Sequence, residues 1–240
     1  MKKMFALGAL ALAACSSAST GPAPNPVPQD PGQTAPTNTN PNGVAYPTGN
    51  LGYALHTRIP NLRFTGYKAK DPSAPIATAG TPQVVQLADF YNPDGKNGNT
   101  IIIHISAGSR WCPPCNAEAS DVSGYDYQTN KRTGPGVAAN LAAAGVVFVD
   151  ALIDGFTPGI AASVDDLRGW VDDHQVNFTQ VLDPNSAETG ALFLQAAIPW
   201  NADIDARSME IIGVMHGSSG TLEKDLSTLA TKTKAKSPML

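Results

Sequence analysis

Two cysteines separated by two prolines, Cys112-Pro113-Pro114-Cys115, are the residues of this chain whose types and spacing best suit chemistry. They follow a β-branched run, T-I-I-I-H-I-S at residues 100–106, bounded by Asn-Gly-Asn before it and Gly108 after it. Such a run reads as a strand buried on both faces. A helix should start around Cys112, with Pro113 in its first turn. At a strand-to-helix junction the helix dipole and the free N–H groups favour a thiolate, and the second sulfur is near enough to resolve a mixed disulfide. The pattern predicts thiol–disulfide exchange, with Cys112 at the exposed N-cap end as nucleophile and Cys115, one turn in, as resolving thiol. Neither proline carries an N–H, so Cys112 loses two donors that would stabilise its charge. Its thiolate should be only moderately stabilised, and the pair should lie closer to a reductant than to a strong oxidant.

The rest of the composition narrows what surrounds this pair. The chain has 240 residues, 15% charged, a net charge of −4, 20 Pro and three Cys. Charge is scarce against the roughly 25% usual in soluble proteins, and no excess of Lys or Arg is present to neutralise phosphates, which argues against a nucleic-acid partner. Three cysteines are too few for a disulfide framework. The length allows one domain plus an appendage.

The appendage is N-terminal. Lys2 and Lys3 precede an apolar run at residues 4–14, too short to span a bilayer, which needs roughly 20 residues. The run ends Leu12-Ala13-Ala14-Cys15 and resembles the lipobox of bacterial lipoproteins, which implies a signal peptide at 1–14 and lipid on Cys15; an ordinary secretory cleavage leaving Cys15 free is the alternative. More than one acyl chain on that residue would hold the protein stably on a membrane surface. Ser16, rather than Asp, points to outer-membrane sorting in a cell with two membranes. Residues 21–50 hold eight prolines and a single charge, Asp30, with no periodic apolar pattern. Residues 15–50 therefore read as a lipidated Cys followed by a Pro-rich, disordered, semi-rigid spacer, and 51–240 as the folded domain.

Within that domain, strands are expected at 64–69, 84–87, 100–106, 146–152 and 178–182, and an antiparallel hairpin at 201–205 and 210–215. Helices are expected from Cys112, at 137–144, from a Ser163 cap, at 187–197 and at 222–232. A polar stretch at 123–136 interrupts. Strands alternating with helices imply an α/β fold whose sheet is covered on both faces.

The stretch Trp111-Cys112-Pro113-Pro114-Cys115-Asn116-Ala117-Glu118 resembles the active site of the thioredoxin superfamily, and more narrowly of the TlpA-like, redoxin-related extracytoplasmic proteins. The resemblance covers roughly residues 64–231. It implies a thioredoxin-like fold with a central mixed β-sheet flanked by helices on both faces. It implies a cis-proline opposite the cysteines, for which Ile198-Pro199 is the candidate, and a carboxylate at Glu118 that could take a proton. Trp111 would shield the sulfurs, and Trp200 would add an apolar wall to a substrate groove. The chain departs from the pattern at Ser106, where thioredoxin has a buried, proton-shuttling Asp, so the proton acceptor stays unassigned between Glu118 and a solvated helix-face role for it. The implied function is a membrane-anchored thiol:disulfide oxidoreductase acting on disulfides of exported proteins, without cofactor and re-reduced by an external thiol–disulfide donor.

Other uses of the motif fit less well. Structural zinc needs four ligands, and no second Cys pair or close His pair exists. The spacing does not match Sco-type copper chaperones, and residues 106–110 lack the proline and threonine of a peroxiredoxin site. A Cu(I) site from Cys112, Cys115 and His216, or a non-catalytic docking domain, are the competing binding functions. His104 reads as a hydrogen-bonded core residue, and His56 and His174 carry no signal.

Overall fold

The computed structural model describes residues 38–192 and 197–236. Cys15, the apolar leader and the first part of the Pro-rich segment lie outside the described residues.

A seven-stranded sheet forms the middle of the domain. Its strands are β1 (Arg63–Tyr67), β2 (Gln83–Gln86), β3 (Ile102–Ser109), β6 (Val146–Asp154), β7 (Thr179–Leu182), β8 (Trp200–Asp205) and β9 (Glu210–His216), in the spatial order β2-β1-β7-β6-β3-β8-β9. A two-stranded hairpin, β4 (Tyr125–Asp126) and β5 (Lys131–Arg132), occupies the polar stretch after the first helix. Strands β3, β6 and β7 run parallel, whereas β1 pairs antiparallel with β2 and β7, and β8 with β3 and β9. The sheet is therefore mixed, with β3 at the boundary between its parallel and antiparallel parts.

The central strands are apolar on both faces because both faces are covered. Alternation along β3 sends Ile103, Ile105 and Ala107 into one core cluster and Ile102 into the other, and β6 divides in the same way. Helices α1 (Pro113–Ser123), α2 (Gly136–Ala142), α3 (Val164–His174) and α4 (Leu222–Ala235) all bury their apolar residues in the second cluster. Over the opposite face lie a short 3-10 helix, Leu87–Phe90, and the chain leading into β1. Helices cover both faces, but unequally. Ser163 starts α3 with a capping box: its hydroxyl accepts from Asp166 N at 3.1 Å while its own N–H donates to the Asp166 carboxylate at 2.9 Å.

Two expectations are corrected. The spacer does not extend to residue 50, since the chain already packs on the sheet from about residue 38. Asn40 donates to Tyr91 O at 3.0 Å and Tyr46 OH to Ile59 O at 2.9 Å, and both side chains are buried. One tyrosine supplies an apolar anchor that the Pro and Asn content around it conceals. The expected helix at 187–197 is also absent over its described part, where residues 187–192 form turns. The physical reason is Asp183. Its buried carboxylate accepts from Glu188 N at 2.9 Å, Thr189 N at 3.0 Å and Thr189 Oγ1 at 2.5 Å, so the amides that would enter a helix are gathered around one side chain.

Asp183→Ala should strand the buried Thr189 N–H and the half-buried Glu188 N–H and lower unfolding stability by about 2 kcal/mol. Urea denaturation measures that loss, and hydrogen exchange should show Glu188 and Thr189 losing protection first; unchanged stability would contradict this account of the turn.

Candidate active site

The site begins where β3 ends. A register shift between Gly108 and Ser109 brings Ser109 opposite Asp154, and the next residues are fastened there. Arg110 N donates to Asp154 O at 3.2 Å, and Trp111 Nε1 to Asp154 Oδ2 at 3.0 Å. The chain then turns into α1 with Cys112 as its N-cap. Cys112 and Cys115 are joined by a disulfide. With Pro113 and Pro114 at the first two helical positions, the first N–H able to reach the cap is that of Cys115, which donates to Cys112 Sγ at 3.3 Å. A single backbone donor therefore serves that sulfur where a helix start often supplies two.

Cys112 is only 2% exposed, and Cys115 3%. This corrects the expectation of an exposed nucleophile. Cys112 Sγ lies 3.8 Å from the carbonyl oxygen of Ile198, and Trp111 and Ile198 pack against the cluster that contains both cysteines. The Ile198–Pro199 peptide bond is cis, and Pro199 lines the cavity behind the disulfide. Trp200 does not line a groove: it is fully buried in the opposite core cluster, because alternation along β8 turns it through the sheet.

Several contacts fix α1. Asn116 Nδ2 donates to Arg110 O at 3.0 Å and Cys112 O at 2.9 Å, and its Oδ1 lies 3.1 Å from His174 Nε2. His174, passed over in the sequence, is buried between α1 and α3, and burial followed by the Arg110 charge lowers its pKa to about 4, so it is neutral. Gly108 permits the close approach of helix to strand, since a Cβ there would lie 3.2 Å from Cys115 Cβ.

Behind Cys115 is a cavity of about 10 Å³, room for one water, lined by His104, Ser106, Glu118, Asp150 and Trp170 among others. Glu118 is not a solvated helix-face residue: it is 7% exposed, and burial pushes its carboxyl up to about 7, with His104 opposing and Asp150 adding to the rise. Ser106, the departure from thioredoxin, donates to Asp150 Oδ1 at 2.6 Å across the parallel pairing in which Ser106 faces Asp150. A buried acid is therefore present, displaced by one strand. Burial raises the Asp150 pKa, and the Ser106 hydrogen bond opposes that rise. Asp150 was missed in the sequence, although an acidic residue inside the apolar run V-V-F-V-D-A-L was a usable signal. His104 is a hydrogen-bonded core residue, with Nδ1 2.7 Å from Asp203 Oδ1 and Nε2 3.1 Å from Asn201 Oδ1. The structure brings Trp111, Cys112, Cys115, Glu118 and Pro199 to one end of β3. His216 is exposed, and no group of three His, Cys, Asp or Glu among the described residues is arranged to hold a metal ion.

Pro114→Ala returns a second N–H to the Cys112 cap. Alkylation of the reduced protein by iodoacetamide at neutral pH should become several-fold faster at Cys112, and an unchanged rate would mean that the prolines do not limit the thiolate.

No protein-family profile matches this sequence, and no curated protein matches it. Solved structures do. A Chlorobium tepidum protein named as a thiol:disulfide interchange protein DsbE aligns over 76% of this chain and 99% of its own length, with 16% identity and a TM-score of 0.51. A secreted thiol-disulfide isomerase from Corynebacterium glutamicum aligns over 75% of this chain and 87% of its own, with 17% identity and a TM-score of 0.50. Identities this low speak to backbone architecture, and the chain accordingly has a thioredoxin-like fold.

Proposed function

We propose that this protein is an exported thiol:disulfide oxidoreductase, held on the outer face of a membrane by lipid on Cys15, that reduces disulfides of other exported proteins. The observation that carries the reading is the Cys112–Cys115 disulfide at a helix start, backed by a buried carboxyl group, Glu118, poised to exchange a proton near neutral pH. The names of the two structural neighbours, one of them secreted, agree with it.

In the reduced protein, the Cys112 thiolate attacks one sulfur of a substrate disulfide. A Cys112–substrate bond forms, the substrate S–S bond breaks, and the departing thiolate takes a proton from solvent. Glu118, ionised, accepts the proton of Cys115, whose sulfur attacks Cys112 Sγ. The second substrate thiolate leaves and is protonated. The substrate gains two electrons and the protein closes its disulfide, which an external dithiol donor must reopen. Because Cys112 is 2% exposed, with the Ile198 carbonyl 3.8 Å from its sulfur, an incoming disulfide must shift the surrounding chain to reach it.

The reduced protein should catalyse insulin reduction. Cys112→Ser should abolish it, Cys115→Ser should accumulate a mixed disulfide visible on non-reducing gels, and Glu118→Gln should slow turnover about a hundredfold, the lower end of the usual range for general acid–base groups. The potential of the pair, set by equilibration with glutathione buffers, should fall below about −220 mV; a value near −120 mV would make the protein an oxidant. Tight Cu(I) binding without reductase activity would replace the enzyme by a copper chaperone. Cys15→Ala should move the protein from the membrane to the soluble fraction of the cell envelope.

A further inference from the structure

The titratable groups behind Cys115 are not independent. His104 projects from β3 into the helical face of the sheet and is buried to 2% exposure. On one side its Nδ1 meets Asp203 of β8, whose side chain is 21% exposed. On the other its Nε2 meets the amide oxygen of Asn201, and the Asn201 amide nitrogen donates to Glu118 Oε2 at 3.5 Å. An Asn that gives its N–H₂ to Glu118 presents its oxygen to His104, and an ionised carboxylate can only accept. Both ring nitrogens therefore act as donors, which requires both to be protonated.

We infer that His104 is a buried imidazolium, clamped by Asp203 and joined to Glu118 through Asn201, and that it is a positioning residue for proton transfer between Cys115 and Glu118. The inference rests on the reading of Glu118 as that acceptor. Burial alone would strip the proton from His104, but the hydrogen bond and charge of Asp203, aided by Glu118, reverse the balance and raise its pKa. The other groups facing the pair come from β6 and α1. Asp150 on β6 and Asp121 on α1 both push Glu118 upward, His104 is the charged group that pulls it down among the described residues, and the Phe148 ring packs edge-on to the imidazole at 5.2 Å. Without the imidazolium, the long Asn201 hydrogen bond would be left to oppose burial and the two acidic neighbours, and Glu118 would hold its proton at neutral pH. A protonated Glu118 cannot accept from Cys115.

The experiment follows the carboxyl itself. The chain has four glutamates, so protein labelled with ¹³C-glutamate gives four δ-carboxyl signals, and the one lost in Glu118→Gln is Glu118. In the oxidised wild type it should titrate near neutrality. In His104→Gln its midpoint should rise by about one pH unit or more, a shift typical of losing a close opposite charge. Asp203→Asn, which keeps the acceptor and removes the charge, should move it in the same direction. The pH at which insulin reduction switches on should move with the carboxyl midpoint. An unmoved midpoint in folded His104→Gln overturns the proposal. So does ¹⁵N-histidine labelling of the wild type, if His104 shows a neutral ring at pH 7, and that measurement needs no variant to fold. Should the wild type fail to reduce insulin, the proposed activity fails while the carboxyl titration still decides the role of His104.

Discussion

Burying acidic groups beneath a disulfide is the constraint around which this site is built. Glu118 and Asp150 face a cavity large enough for about one water, and isolated carboxylates in such a place would be expensive to ionise. The structure answers with a specific partner for each. Ser106 donates to Asp150, Asn201 to Glu118, and His104 lies between the Glu118 end of this network and Asp203 near the surface. These partners come from β3 and β8, while Asp150 stands on β6, so the network exists only because β3 lies between a parallel and an antiparallel neighbour. The same mixed pairing that makes the sheet also delivers the chemistry.

The active-site helix is held against this network by contacts that leave its first turn poor in donors. Asn116 ties the start of α1 to Arg110 and to α3 through His174, and Gly108 lets Cys115 sit against the strand. Meanwhile Pro113 and Pro114 deny Cys112 two N–H groups, and only Cys115 N reaches its sulfur. The front of the pair is thus weakly stabilised as an anion, whereas the rear is supplied with a proton-exchanging group. Under the proposed function that asymmetry would suit a donor of electrons more than an acceptor, because a poorly stabilised thiolate favours closing the disulfide. Trp111 and Ile198 pack against the cluster that holds both cysteines, and Cys112 itself is 2% exposed.

Much of this was legible along the chain. The strand-helix junction, the Ser163 cap, the last hairpin and the final helix follow from period, capping and β-branching, which are local signals. Cys112 and Trp200 are buried where exposure was expected, and the two misread segments of chain are both cases of a side chain acting at a distance. Tyr46 anchors a stretch whose Pro and Asn content reads as spacer, and Asp183 gathers amides that local propensity would have wound into a helix. His174 has no periodic signature and acquires meaning only from the helix it faces, whereas Asp150, an acid inside an apolar run, was a signal left unread.

By itself the sequence determined the pair proposed to react and its local setting: two cysteines spaced for one helical turn, two prolines between them, and the strand and helix that carry them. These properties are covalent or local, so no folding is needed to read them. What the tertiary structure decided was the placement of the titratable groups. Glu118 turns inward, Asp150 takes up from the neighbouring strand the place that Ser106 leaves, and His104 meets Asp203 across 99 residues of chain. Charge states in a buried site depend on which groups share the low-dielectric space, and that sharing is created only when distant strands pair.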